Sequence, residues 1–142
     1  MTGLDTNILI HLADVSDPKH VGTADLVQKE INAGEDLLVP PQIVAEFLHV
    51  ITDSRRFLNP LTMSAALDWI DAFIGNPGVK QLMPTDTLVP QSNQWMRQHN
   101  LGRKRILDTQ LAATFYLAGC KRLITSNPDD FKIFNCFALI SP

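Results

Sequence analysis

Leu4-Asp5-Thr6-Asn7-Ile8-Leu9-Ile10 decides how this chain folds. A brief apolar strand ends near Leu4. An acid follows directly, then two small polar residues, and the triplet Ile8-Leu9-Ile10 opens a short helix. An acidic residue at a strand-to-helix junction is placed to cap the helix or to hold a ligand. Which of these it does depends on what else the fold brings to the same edge.

Working outward, the rest of the chain repeats this alternation. Asp17-Pro18 reads as a helix start, with Asp as N-cap and Pro in the first turn. Val21, Ala24, Val27 and Ile31 keep helical spacing up to Gly34. Leu37-Leu38-Val39 reads as a buried strand, and a helix follows from Pro41 towards Phe57 with Ile43, Val44, Phe47, Leu48 and Ile51 on its apolar stripe. Thr62 to Gly75 is helical, with Leu67, Ile70 and Phe73 inward. Val79 to Met83 is a strand, and Asp86 is placed to cap a helix ending near Gly102. Ile106 to Ala118 is the clearest helix, closed by Gly119. Leu123-Ile124 and Phe137 to Ile140 are the last strands. Strands separated by helices imply a layered α/β domain with a parallel sheet and right-handed crossovers. Ligands bind such sheets beyond the carboxyl ends of the strands.

The chain has 142 residues, which suits one domain spanning 1–142. Hydrophobic residues make up 45% and charged residues 19%, the latter below the usual ~25%. That balance leaves apolar surface for a partner. The formal charge of -3 excludes a broadly basic nucleic-acid binder but not a nuclease, whose metal-holding carboxylates add negative charge. Cys120 and Cys136 make no zinc spacing and read as small hydrophobes in a reducing compartment. No apolar run approaches the ~18 residues of a membrane span, and no basic leader precedes the first apolar stretch. The expected location is the cytoplasm, with no membrane partner.

Four segments far apart in sequence offer oxygen ligands at one sheet edge. They are Asp5 after the first strand, Glu46 early in the helix after the second, Asp108 early in the helix from Ile106, and Thr125-Ser126-Asn127-Pro128-Asp129-Asp130 after Leu123-Ile124. Two unit charges about 4 Å apart repel by roughly 4 kcal/mol at an effective dielectric of ~20. Such a cluster raises its pKa values or binds a cation, and hard oxygen ligands select Mg²⁺ or Mn²⁺ over zinc. No GxSxG is present and no Cys has a His nearby in sequence.

These residues carry a family resemblance. Leu4-Asp5-Thr6-Asn7-Ile8-Leu9 resembles the opening motif of PIN domains. Ala45-Glu46-Phe47 resembles their second acid, Ile106-Leu107-Asp108-Thr109-Gln110-Leu111-Ala112-Ala113 the third, and Leu123-Ile124-Thr125-Ser126-Asn127 with Asp130-Phe131 the fourth block. Each motif alone is weak, but order, spacing and length agree over nearly the whole chain. The resemblance implies a three-layer α/β/α domain with strand order 3-2-1-4-5. It implies Asp5, Glu46 and Asp108 as catalytic metal ligands for Mg²⁺ or Mn²⁺, preparing water to attack an RNA phosphodiester. Asn127 stands where the family usually has its fourth acid, so that position stays open between Asn127 and Asp130. Within the family the chain looks most like VapC-type toxins, which implies an RNA substrate, a cognate antitoxin and a homodimer. A housekeeping RNA-processing nuclease and a catalytically weak PIN module that only binds a partner are the competing readings.

Each of these residues also has a plainer reading. Asp5 caps a helix, Glu46 lies on a polar stripe with Gln42, His49 and Asp53, and Asp108 favours a positive helix N-terminus. Thr6 and Thr125 read equally as caps or as groups that hold the carboxylates. Arg103-Lys104-Arg105, directly before Asp108, reads as a phosphate contact. Arg55-Arg56 reads as surface, and His11, His20, His49 and His99 as non-catalytic. Trp69, Trp95 and Phe73 read as core or dimer contacts rather than stacking platforms. A haloacid-dehalogenase phosphatase needs Asp-x-Asp, which Asp5-Thr6-Asn7 lacks. Nucleotide-binding loops need glycines that no strand here precedes.

Overall fold

The strand segments Thr2–Leu4 and Leu37–Val39 are buried on both faces, which needs helices on both, and the computed structural model, which describes residues 1–142, has that arrangement. The elements run β1 (Thr2–Leu4), α1 (Thr6–Ala13), α2 (His20–Asn32), β2 (Leu37–Val39), α3 (Pro41–Ile51), α4 (Met63–Ile74), β3 (Val79–Gln81), α5 (Leu88–Gln98), a 3-10 turn at Arg103–Arg105, α6 (Ile106–Leu117), β4 (Arg122–Ile124), α7 (Asp129–Lys132) and β5 (Ala138–Ile140). All four strand pairings are parallel and the order is β3-β2-β1-β4-β5, as the resemblance implies. Helix α1 packs on α2 and α3, and α3 on α4. Helix α5 packs on α6, and α6 on α7.

β1 is the centre of the sheet, pairing Gly3 with Leu38 on one side and Leu123 on the other. Its neighbours reverse the direction of chain winding, so the crevice at its carboxyl end is the switch point where ligands bind such sheets. Gly3 lets α6 close onto this strand, because a Cβ there would lie 2.9 Å from the Phe115 ring. Leu4, Ile8, Leu9, Ile43, Phe47, Phe115 and Ile124 are fully buried and fix the approach of α1, α3 and α6 to the sheet. Gly119, at φ 76°, ends α6 in the left-handed region that a side chain disfavours.

Some boundaries differ from the expectation. Helix α3 stops at Ile51 rather than near Phe57. Beyond it the Thr52 hydroxyl turns back to the Leu48 carbonyl at 2.7 Å, and Asp53 accepts the Arg55 amide at 2.9 Å, which together favour a turn. Helix α2 starts at His20, and Asp17 is not its cap. Asp17 Oδ1 instead accepts the Lys19 amide at 2.8 Å in a local turn. Asp86 does not cap α5, which begins after Thr87 without a side-chain cap. Thr62 does cap α4, accepting the Ala65 amide at 3.1 Å. β3 ends at Gln81, short of Met83.

Candidate active site

Asp5 is positioned by the sheet. Its amide donates to the Ile124 carbonyl at 3.0 Å, which continues the β1–β4 ladder past the last strand residue. Its backbone is extended and α1 begins at the next residue, so the carboxylate stands at the helix N-terminus. Oδ1 accepts the Thr6 amide at 2.7 Å; Oδ2 accepts the Thr125 hydroxyl and the Asn7 amide nitrogen, each at 2.6 Å. A carboxylate offers about four lone-pair sites, so three are used and one side stays free. Burial pushes the Asp5 carboxyl above its ordinary value despite these donors, and the Glu46 charge adds to the rise.

Glu46 enters from α3. Pro41 in the first turn and the buried Ile43, Phe47 and Ile51 set the helix against the core and leave Glu46 on its exposed side. Its Oε2 accepts the Thr6 hydroxyl at 2.6 Å. Thr6 thus touches both acids, through its amide to Asp5 and its hydroxyl to Glu46.

Asp108 lies in the first turn of α6, and its carboxyl is pushed up to about 6. Burial is the main cause and the Asp130 charge the next. Arg105 opposes the rise, and Asp5 and Glu46 add to it. Arg105 Nε lies 3.7 Å from Asp108 Oδ2, and Nη1 lies 3.7 Å from Asp130 Oδ1. Arg105 Nη2 also donates to the Asp130 backbone carbonyl. The 3-10 turn therefore aims Arg105 into the acids, while Arg103 and Lys104 are exposed.

One cavity of about 280 Å³ gathers these groups. Asp5, Thr6, Asn7, Glu46, Asp108, Asn127 and Asp130 line it, together with Arg56. Thr125 stands behind it, bonding Asp5 with its hydroxyl and accepting the Asn127 amide at 2.9 Å. No three His, Cys, Asp or Glu side chains converge tightly enough to form a ready-made metal cage. The donor set is nonetheless all oxygen. It holds four carboxylates, two of them raised by burial and mutual repulsion, and such a set fits a hard divalent cation rather than zinc.

The sequence reading missed Arg56. It follows the unexpected end of α3, and the turn that ends the helix brings it to the cavity wall, 3.8 Å from Asp53 Oδ2 through its Nε. Only the Arg55-Arg56 doublet hinted at it. His20, His49 and His99 do not line the cavity. Burial pushes the Cys136 thiol up to about 11, far from the thiolate a redox role needs.

The chain belongs to the PIN domain family, whose pattern matches residues 4–134. Among characterised relatives it is similar to ribonuclease VapC43 of Mycobacterium tuberculosis, at 28% identity over 115 residues, covering 80% of this chain and 77% of that protein. In fold it resembles VapC20 of Mycobacterium tuberculosis, a toxin that cleaves the sarcin–ricin loop, with a TM-score of 0.71, 17% identity and full coverage of both chains. It also resembles VapBC2 of Rickettsia felis bound to a DNA fragment from their promoter, with a TM-score of 0.69, 14% identity and coverage of 99% and 98%. No helix is long and apolar enough to cross a membrane.

Proposed function

We propose that this protein is a Mg²⁺- or Mn²⁺-dependent endoribonuclease acting as the toxin of a toxin–antitoxin pair. The observation that carries the reading is the single cavity in which Asp5, Glu46, Asp108 and Asp130 meet from four separate segments at the switch point of the sheet. The likeness to VapC ribonucleases supports RNA as substrate.

Asp5, Glu46 and Asp108 would hold the cation. A divalent cation there supplies an activated water and a counter-charge for the scissile phosphate. The chain's own residues do the rest. Thr6 and Thr125 fix the carboxylates through short hydrogen bonds. Arg56, at the cavity wall, and the exposed Arg103 and Lys104 would contact phosphates flanking the cut. Arg105, 3.7 Å from both Asp108 and Asp130, would hold the charge of these acids in check where no cation is bound.

VapBC assemblies are among the structures of like fold, which supports a cognate antitoxin as partner. Its Arg or Lys would satisfy the carboxylates much as Arg105 does here. An apolar groove of about 320 Å³ on another side of α3, lined by Val39, Pro41, Val44, Ala45 and Leu48, would offer the rest of the antitoxin a seat. A homodimer would cover exposed apolar helix residues such as Met63, Val89 and Leu67, the last of which α4 turns outward rather than inward as its spacing suggests, and light scattering at micromolar concentration tests it.

The deciding experiment is cleavage of RNA with added Mg²⁺ or Mn²⁺. Chelator should abolish it. Asp5→Asn, Glu46→Gln and Asp108→Asn should each lower the rate by on the order of 10²–10³ while the fold persists. Cleavage that survives chelator, or full activity in any one variant, removes the metal or that residue from the reading.

A further inference from the structure

Outside the cavity, three polar side chains meet in an arrangement that the proposed chemistry does not use. His11, near the end of α1, places Nδ1 2.6 Å from Asp17 Oδ2 and Nε2 2.9 Å from Ser126 Oγ. Both His11 and Asp17 are mostly covered, with side-chain exposures of 15% and 18%. Ser126 lies 115 positions away in sequence, on the segment after β4 that also carries Thr125 and Asn127.

An ionised carboxylate only accepts hydrogen bonds, so Asp17 fixes a His11 proton on Nδ1. Nε2 faces the Ser126 hydroxyl, which can serve it as donor or acceptor. The chain of contacts continues inward. The Ser126 amide donates to Asn7 Oδ1 at 3.0 Å, and Asn7 Nδ2 donates to Asp5 Oδ2 at 2.6 Å. The backbone amide of Ser126 must meet an oxygen, which orients the Asn7 amide and aims its nitrogen at the acid. On the other side of Ser126, the Thr125 hydroxyl reaches the same Asp5 oxygen.

A Ser–His–Asp alignment invites comparison with a nucleophilic triad. No cavity opens at Ser126, and its backbone amide, the usual oxyanion donor, is already given to Asn7. The alignment holds the loop in place instead. We infer that His11, held by Asp17, is a positioning residue: it anchors Ser126 and thereby sets the Thr125 and Asn7 donors that orient Asp5 in the cavity. The role rests on the reading of that cavity as a cation site.

Mn²⁺ binding to the purified full chain, measured by titration calorimetry without RNA, tests it. Loss of a group bonded directly to a ligating carboxylate, as Thr125 and Asn7 are to Asp5, costs roughly 10- to 100-fold in metal affinity. His11 acts one contact further out, so His11→Ala should weaken Mn²⁺ binding by up to about 10-fold, and Ser126→Ala should shift it the same way. His11→Gln, which keeps a donor and an acceptor, should recover much of the loss. A purely structural role would lower the melting temperature of both alanine variants and leave the affinity of the folded protein unchanged, and that result overturns the inference. If His11→Ala does not fold, Ser126→Ala decides by the same criterion. Asp5→Asn in the same titration separates the two levels. If it loses binding while His11→Ala and Ser126→Ala keep it, only the positioning role fails. If it binds like the parent, the cation site itself is wrong and the inference falls with it.

Discussion

The Thr125 hydroxyl donates to Asp5 Oδ2 at 2.6 Å, joining the loop after β4 to the end of β1 across 120 residues of sequence. Asp5 is buried, and burial raises its pKa more than its hydrogen-bond donors lower it. Thr125 is the foremost of those donors. Thr125→Val keeps the shape and removes the donor. The Asp5 carboxyl should therefore rise further, and the acid limb of the rate–pH profile should move to higher pH. Stability should fall by about 1.5–3 kcal/mol where Asp5 is ionised, the usual worth of a hydrogen bond to a charged group. The loss should shrink at low pH, where the protonated acid needs that donor less. A profile superimposable on the parent's would show that Thr125 does not act on the ionised form.

Asp108 gives a stability prediction of opposite sign. Its unfolded value is near 3.8 and its folded value about 6, so the folded state binds its proton more tightly. The stabilisation from this preference is complete below 3.8 and is lost as pH rises through about 6. Without metal, an ionised Asp108 therefore strains the fold at neutral pH. Asp108→Asn should raise the melting temperature in chelator above pH 6 and lose that advantage below 3.8. Equal melting curves at both extremes would mean that Arg105 already cancels the repulsion.

Asp5 and Asp108 were legible in sequence because each follows an apolar stretch directly. Leu4-Asp5, where β1 gives way to α1, and Ile106-Leu107-Asp108, at the start of α6, announce their positions without any knowledge of tertiary contacts. The strand order was legible only through the family resemblance, since periodicity does not say which strands pair. Helix ends were the weak point. Asp17 has the residue type of a cap, but its carboxylate is engaged by Lys19 and His11, a contact that forms only once α1 is folded. The contacts of Arg56 and Ser126 were hidden for the same reason. Arg56 reaches the cavity through a loop whose path follows from the early end of α3, and Ser126 meets a histidine more than a hundred positions away.

Arg105 lowers the Asp108 pKa against the effects that raise it. Arg105→Gln removes that opposing charge, so Asp108 should hold its proton to higher pH. A cation competes with that proton, and the acid limb of the activity profile should move upward while activity well above the new value stays near the parent's. Should the loss instead be uniform across pH, Arg105 would be acting on the phosphate rather than on Asp108.

Asn127 and Asp130 compete for the fourth ligand position, and geometry separates them. Asn127 brings an amide oxygen without charge, and its backbone amide is given to Thr125. Asp130 brings a carboxylate to the same cavity, near enough to Asp108 that its charge is the foremost electrostatic contribution to raising that acid. Arg105 holds it there through both its side chain and its backbone carbonyl. The expected fourth ligand is therefore Asp130. Asp130→Asn should demand more Mg²⁺ for half-maximal cleavage than the parent, while Asn127→Ala should change the Mg²⁺ requirement little. Asn127→Asp should add little as well, because the charge it restores is already present. The alternative is that Asp130 only favours the N-terminus of the single turn α7, where its loss costs no more than about 1 kcal/mol of stability. Cleavage against Mg²⁺ concentration for the three variants decides. If Asn127→Asp sharpens Mg²⁺ dependence and Asp130→Asn leaves it alone, the amide marks the ligand position and Asp130 belongs to the helix start. If all three curves match the parent, neither residue touches the cation, and the site is built from Asp5, Glu46 and Asp108 alone.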